Sequence, residues 1–360
     1  MRSRGTTGLA VLFTLSLAAC GGGEPVADAP PGTEAAGAAN GSAAAGAANS
    51  SAAGGVAANA AAACNRDCLV ELTESYLAAL VAGDPSAVPL AADLAFVENV
   101  TRMRPGEGLW ANAASGPTSF AIYVPDVEQQ QAGFMGVMQR EGENGTEPVL
   151  VAMRLKVEEG RIAEAEHIVA AVNESNMARL QTPRAGLTSE VPAASRKSHA
   201  ELVRIGLSYY DALDDNDGTL MPFADDCQRH ENGMITAGPE AGPGPNADPN
   251  RAPVARLCGP QLSSKTFTYI DRIENRRLIA ADPVTGLSMG FSHFRHPMTN
   301  LPYEVVHTDG TTSERNEENF DFDPFDMPAA HIFKVGADGL VHEIEAVGFV
   351  APYASPTGWE

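Results

Sequence analysis

The sequence predicts an α+β chain of two similar halves, each an amphipathic helix followed by a curved antiparallel meander of strands. Three observations carry this. Residues 75–99 recur at 208–232: adding 133 to Ser75, Tyr76, Ala79, Leu80, Asp84, Pro89, Ala91, Asp93, Glu98 and Asn99 lands on the same residue type each time. That is ten matches in 25 ungapped positions, against about two by chance. Apolar runs of strand length follow each helix. A stretch rich in Pro, Thr, Ser and Ala at 181–195 separates the halves.

The chain has 360 residues and a net charge of −22, with no block of Lys or Arg. Nucleic acid and anionic lipid headgroups need a basic face, so neither is an expected partner. Arg2 and Arg4 precede a short apolar run, Leu9 to Leu17, too short to span a bilayer. Leu17-Ala18-Ala19-Cys20 then resembles the lipobox of bacterial lipoproteins, which implies lipidation of Cys20 as the mature N-terminus. The alternative is an ordinary cleaved signal peptide. With the lipobox, the chain is expected to be exported and lipid-anchored to the cell envelope, its membrane contact being the anchor. Gly21 after the cysteine, in place of Asp, points by the same resemblance to the outer membrane, on its periplasmic side or at the cell surface. Residues 21–63 are nearly all Ala, Gly, Ser and Asn and read as a flexible tether.

The first half is expected over 64–180. Leu69, Leu72, Tyr76 and Leu80 make one helical stripe, ended by Gly83-Asp84-Pro85. Leu94 to Val100 is a short strand or hairpin arm. Four β-like runs follow: Phe120 to Val124, Ala132 to Met138, Val149 to Val157 and Ile162 to Val169. Cys64 and Cys68 bracket the helix start. In an exported chain a disulfide is the favoured reading; a metal pair or redox pair is the alternative, without a third ligand nearby.

The second half is expected over 196–360. Ser198 and Glu201 form a capping box for a helix with the stripe Leu202, Ile205, Tyr209 and Leu213. Cys227 and Cys258 flank a Gly/Pro/Asn-rich insertion at 238–253, and a disulfide closing that loop is favoured. Strands are expected at Phe267 to Ile273, Leu287 to Phe294, His331 to Val335 and Val341 to Phe349, with Phe320 to Met327 as a loop over the sheet. Gly160 and Glu164-Ala165-Glu166 echo Gly339 and Glu343-Ile344-Glu345 at an offset of 179, so the repeat reaches the end of each half.

Tyr76-Leu-Ala-Ala-Leu-Val-Ala-Gly-Asp-Pro, Phe96-Val-Glu-Asn, Arg229-His-Glu-Asn-Gly, Cys258-Gly-Pro-Gln-Leu, Phe267-Thr-Tyr-Ile-Asp-Arg-Ile and Gly286-Leu-Ser-Met-Gly-Phe-Ser-His-Phe resemble exported members of the nuclear transport factor 2-like superfamily. That superfamily includes SnoaL-like polyketide cyclases and steroid delta-isomerases. The resemblance runs from about residue 64 to the C-terminus and implies two tandem cone-shaped sheets, each closed by N-terminal helices around an apolar pocket. It also implies pairing through the open sheet faces, between copies of the chain as a homodimer or between its own halves as a pseudo-dimer. In the superfamily's enzymes a carboxylate or histidine moves a proton beside a carbonyl, while a Tyr or neutral acid holds the enolate oxygen.

Function reads in two ways. In the first, both cones bind an apolar small molecule or a partner, with Tyr76, Trp110, Tyr123, Asp271 and His331 as candidate ligand contacts. In the second, a cofactor-free lyase, isomerase or cyclase works in the second cone, with His230 or His293 as base, Glu231 beside them, and Tyr209 or Tyr269 assisting. The second half is favoured because it holds seven of the eight histidines, the first only His167. The repeat aligns His230 with Val97, which marks it as site-like; Glu231 and Asn232 recur as Glu98 and Asn99 and read mainly as scaffold. Asp271 and Tyr269 would share a strand face, although pairing of Asp271 with Arg272, Arg276 or Arg277 is the plainer role. His293 and His296, three apart on a strand, face opposite sides and make a poor metal pair. No metal site and no cofactor are expected: phosphate loop, nucleophile elbow and zinc helix motifs do not occur.

Overall fold

A computed structural model describes residues 63–244 and 248–360. The export signal, Cys20 and the tether up to residue 62 lie outside the described residues. The first half starts with α1 (Arg66–Val81), whose N-cap Asn65 accepts a hydrogen bond from the Cys68 amide. Strands β1 (Leu90–Glu98) and β2 (Thr101–Met103), a short helix α2 (Leu109–Asn112) and β3 (Ala113–Ser115) lead into a meander. The meander is β4 (Ala121–Asp126), β5 (Gln131–Gly142), β6 (Gly145–Glu158) and β7 (Arg161–Ala171). After α3 (Ala185–Thr188), the second half repeats the plan. Its helix is α4 (His199–Asp214), entered through the Ser198/Glu201 capping box; β8 (Phe223–Glu231), β9 (Met234–Ala237) and α5 (Cys258–Ser263) follow. The second meander is β10 (Arg272–Asp282), β11 (Leu287–His296), β14 (Phe325–Val335) and β15 (Val341–Gly348), with β12 (Tyr303–Val306), β13 (Thr312–Arg315) and β16 (Ala351–Pro352) added.

Both main sheets have the same strand order. The first runs β2-β1-β7-β6-β5-β3 with β4 on β5; the second runs β9-β8-β15-β14-β11-β10 with β16 on β14. Pairing is antiparallel except between β1 and β7 and between β8 and β15, which run parallel because the chain rounds the helix side before the meander returns to its first strand. The fold is therefore α+β, two cone-shaped sheets that succeed one another in the chain, neither a closed barrel. The asparagines of the repeat explain their own positions. Asn99 and Asn232 sit at φ +45° and +47°, a region Asn tolerates, and each side chain bonds both the N–H and C=O of one residue on the facing strand, Val169 and Gly348 respectively.

Two expected elements differ. Residues 264–269 form turns, and the strand expected from Phe267 begins at Arg272. The stretch Phe320 to Met327 leaves its loop at Phe325, where β14 begins and pairs with His296. The capping box, both long helices and the four runs of the first meander lie where the pattern places them. Cys64–Cys68 and Cys227–Cys258 are disulfides.

Each sheet buries both faces. In the first, Val149, Val151, Met153 and Leu155 of β6 point under α1, while Leu150 and Ala152 point the other way. In the second, Phe294, Ala329, Phe333 and Ile344 point under α4. The opposite faces meet in one layer, where Ile122, Val124, Met135 and Ile168 of the first sheet pack against Leu287, Met289, Phe291 and Ile332 of the second. At its rim, Arg277 donates two hydrogen bonds to Glu166, at 2.8 and 2.7 Å, and Asp126 accepts from His199 and from the Ala281 amide. The C-terminal tail crosses the same seam, with the rings of Trp359 under Arg102 and Arg154.

Ile332 is fully buried in that shared layer. Ile332→Ala is expected to cost about 2–5 kcal/mol. Because the layer belongs to both sheets, calorimetry should show one transition moved to lower temperature. A variant in which the two halves melt in separate steps would contradict a shared core.

Candidate functional site

In the first cone the polar groups close on one another. The Trp110 indole donates to Tyr76 Oη at 3.2 Å, Tyr76 Oη meets His167 Nε2 at 3.0 Å, and His167 Nδ1 meets Glu98 at 3.1 Å. Glu98 also accepts from the Leu109 amide with both oxygens at 3.0 Å. If Nδ1–H is given to the carboxylate, Nε2 is left as acceptor for the Tyr76 hydroxyl, so every member has a partner. Gly108 makes this approach possible: at φ +62°, a Cβ there would lie 2.4 Å from Glu98 Oε1. Burial pushes the Tyr76 hydroxyl well above its usual range. All four residues are at most 7 % exposed. Trp110 and Tyr76 are thus parts of an internal chain, and Tyr123 packs on Phe134 at 5.3 Å beside it.

The second cone differs at the positions that face inward. The repeat sets Phe96 against Arg229, and strand pairing sets His167 opposite Glu98 where Ala346 stands opposite Glu231. Arg229 is 2 % exposed. Its guanidinium donates to Thr236 Oγ1 (2.9 Å), Tyr209 Oη (3.3 Å) and Gln261 Oε1 (2.6 Å), and it pairs with Glu231 at 3.0 Å. Around this cluster the walls are aromatic. His331 lies 5.2 Å from Tyr209, 5.7 Å from Tyr210 and 5.7 Å from Phe294, ring to ring. His296 stacks on Phe325 at 4.2 Å and on Tyr269 at 5.4 Å.

Two buried polar atoms here, Ser288 Oγ and His331 Nδ1, have no hydrogen-bond partner, whereas the Tyr210 hydroxyl faces Ser292 and the His296 ring faces the Phe325 backbone. None of the Trp110–Tyr76–His167–Glu98 atoms shares that condition. Burial drives the His331 imidazole down to about 3, with Arg229 adding to it, and His296 down to about 4. Both are neutral near pH 7, each with one donor and one acceptor nitrogen. Burial lifts Tyr209 and Tyr269 to about 12.

Of the expected catalytic residues, Tyr209, Tyr269 and Glu231 belong to this cone; His230 and His293 do not. The pleat alternates, so with Arg229 turned inward His230 must face out. There it lies 3.9 Å from Glu345, beside Arg184, and burial lowers it to about 3, with Arg184 and Arg179 helping. His293, on the face opposite Phe294, reaches the seam between the sheets, 3.1 Å from Ser355 and 3.5 Å from Asp326. Asp271 sits outside on the turn before β10 and pairs with Arg272. His331 faces the interior. Sequence reasoning missed Arg229, Tyr210, Gln261, Ser292 and His296. The available signal was the repeat itself, which aligns an aromatic residue with an arginine one position before Val97 and His230. Among the described residues no three His, Cys, Asp or Glu side chains converge to hold a metal ion, and no helix is long and apolar enough to cross a membrane.

Behind His230, Glu345 is 1 % exposed and carries an unpartnered Oε1. Arg184 approaches at 3.2 Å, yet burial prevails and lifts the carboxyl to about 8. The folded value lies above the unfolded one of about 4.3. Stability from this group is therefore full below about pH 4 and is lost as pH rises through about 8. Glu345→Gln should gain on the parent between pH 4 and pH 9, by an amount on the order of 1–3 kcal/mol. Denaturant titration at the two pH values checks this; equal differences at both would show that Glu345 ionises normally.

The sequence of residues 195–348 matches a family described as a domain of unknown function, DUF8021. No curated protein matches the chain. Among solved structures, a protein assigned as a polyketide cyclase from Silicibacter sp. TM1040 is similar at 15 % identity, covering 42 % of this chain and 88 % of its own, with a TM-score of 0.26. A nuclear transport factor 2-like protein from Burkholderia thailandensis E264 is similar at 14 % identity, over 41 % and 90 %, TM-score 0.21. A ketosteroid isomerase-like protein from Erwinia carotovora atroseptica is similar at 11 % identity, over 42 % and 95 %, TM-score 0.20. Each resembles a little over two fifths of the chain.

Proposed function

We propose that this chain is an exported, lipid-anchored binding protein whose second cone takes one apolar small molecule bearing hydrogen-bonding groups. The observation that carries the reading is the pair of partnerless buried polar atoms, Ser288 Oγ and His331 Nδ1, inside aromatic walls. A buried donor or acceptor left unpaired costs about 1–3 kcal/mol, and a bound ligand relieves that cost. The first cone, which closes its polar chain on itself, is the scaffold copy of a tandem pair. The layer between the sheets then acts as the interface of an intramolecular pseudo-dimer. Acid–base catalysis is the weaker reading: His331 in the cone is too poor a base near neutrality, and Glu231 is tied to Arg229.

Gly290 faces the Tyr210 hydroxyl, and a Cβ there would come within 2.7 Å of it. Fluorescence titration of the neutral dye N-phenyl-1-naphthylamine should give one site per chain. Gly290→Val should weaken it about tenfold or more, for a stability loss of about 1–3 kcal/mol. Ala346→His, which rebuilds the first cone's imidazole beside Glu231, should weaken it as well. Dye binding that survives both substitutions would move the ligand out of this cone. For the anchor, the intact mass of the mature chain should show a diacylated or triacylated Cys20; an unmodified chain beginning after residue 20 would end that part of the reading.

A further inference from the structure

After β15 the chain turns back across the seam between the sheets and lies on the first half. In β16, Ala351 pairs with Asp326 and Pro352 with Phe325 of β14. Beyond β16, every hydrogen bond that leaves the tail passes through Ser355. Its amide donates to Asp326 Oδ2 at 2.8 Å and its carbonyl accepts from Arg295 Nη1 at 2.9 Å. Its hydroxyl lies 3.1 Å from both Asp326 Oδ2 and His293 Nε2. Residues 356–360 then meet the first half by contact alone. Thr357 lines the cleft at the rim of the seam, a Cβ on Gly358 would lie 2.7 Å from Val97, and Arg102 and Arg154 stand over the Trp359 ring at 5.8 and 5.6 Å. The buried Trp359 Nε1 has no acceptor.

Ser355 thus closes over a buried group of charges. Asp326 is fully buried, and Arg295, bonded to it, also reaches Glu274 at 2.8 Å and His293 Nε2 at 3.2 Å. His293 is 2 % exposed. It stands between Glu274 of β10 and Pro328 of β14 in the sheet, and Arg277 and Glu166 line the same cleft. A guanidinium only donates, so the contact with Arg295 requires a neutral ring that accepts at Nε2. A proton there would point an N–H at the Arg295 donor. Burial holds the imidazole below its ordinary range and Arg295 adds to this, against the opposing pull of Asp326 and Glu274.

We propose that the tail is an acid-released strap: near neutral pH Ser355 closes over His293, and protonation of His293 favours the state in which residues 353–360 have left the seam. With the strap off, water reaches the ring, which regains its ordinary affinity for a proton, near pH 6.5. The strapped state binds that proton less well, so acid draws the molecule towards the open state. Opening sets in as pH falls through about 6.5 and levels off below the lower, strapped value. It gives up only the Ser355 hydrogen bonds, because the contacts of Thr357, Gly358 and Trp359 part without leaving unpaired groups behind. β16 keeps its pairing and is the hinge. The strap lies at the seam and does not depend on what the second cone holds.

Hydrogen–deuterium exchange of the full chain, read at the Ser355 amide and corrected for intrinsic rates, measures the opening at pH 7.5 and pH 5.0. Protection is expected to fall about tenfold at the lower pH, while amides of β6 and β14 keep theirs. His293→Gln retains an acceptor for Arg295 but takes up no proton, so its two protection values should agree. Equal protection at both pH values in the parent would overturn the strap, and so would a fall of parental size in His293→Gln. The reciprocal measurement covers a His293→Gln chain whose tail is loose at both pH values. By linkage, loosening the strap with Ser355→Ala should move the His293 ring-proton titration, followed by NMR, to higher pH than in the parent. A His293 that titrates at the same pH in both chains would overturn the strap as well.

Discussion

The structure depends on face-to-face packing of the two sheets. A sheet covered by helices on one side still has a second apolar face, and here each sheet supplies the cover for the other. No long strand of either meander has a free side. Side chains alternate along a strand, so one register decides for every residue whether it enters a cone or the shared layer. A ligand site in such a molecule has few places to be. The shared layer is packed with apolar side chains, and a small cleft opens at its rim beside the Arg277–Glu166 pair, lined by His167, Phe291 and His293; the cones are the other interiors.

The two cones then part ways through very few inward positions. Phe96 and His167 in the first are ring to ring at 4.9 Å, and His167 completes a polar chain that ends on Glu98. In the second, arginine replaces the phenylalanine and alanine stands at the place of the histidine. Glu231 thereby loses its imidazole and gains a guanidinium, and the volume of one ring is given up opposite it. The charge of Arg229 stays buried because Glu231, Gln261, Thr236 and Tyr209 all receive it, as a buried charge requires. What is left over is the Ser288 hydroxyl and one ring nitrogen of His331, which no neighbour satisfies. One cone resolves its polarity internally and the other does not.

How far the sequence was legible follows from the same geometry. The helix stripes, the capping box and the first meander were readable because local periodicity and caps determine them. Strand β10 was displaced because Phe267, Tyr269 and Ile273 carry a strand-like composition, while the neighbouring β12–β13 hairpin holds 264–269 in turns. Histidine count pointed to the second half, where His331 and His296 face the cone while His230 and His293 face away from it. His230 and Arg229 differ by one residue, and only the pairing of β8 with β15 tells which of them looks inward. The orphaned atoms of Ser288 and His331 leave no trace in sequence, since a polar side chain reads the same whether or not its partner is present.

The placement of the insertions and the second disulfide can be argued in the same terms. A cone that keeps unpaired polar groups and a buried guanidinium is less self-sufficient than one filled by its own Trp–Tyr–His–Glu chain. Extra cross-links would be expected on the weaker side. Cys227–Cys258 lies there, bridging the strand that bears Arg229 to the helix that bears Gln261, so the covalent bond holds the two residues whose mutual hydrogen bond fixes the charge. The first cone's disulfide, Cys64–Cys68, closes only a helix turn at the surface. The staple that spans the second cone thus lies on the two residues that hold its buried charge, Arg229 and Gln261.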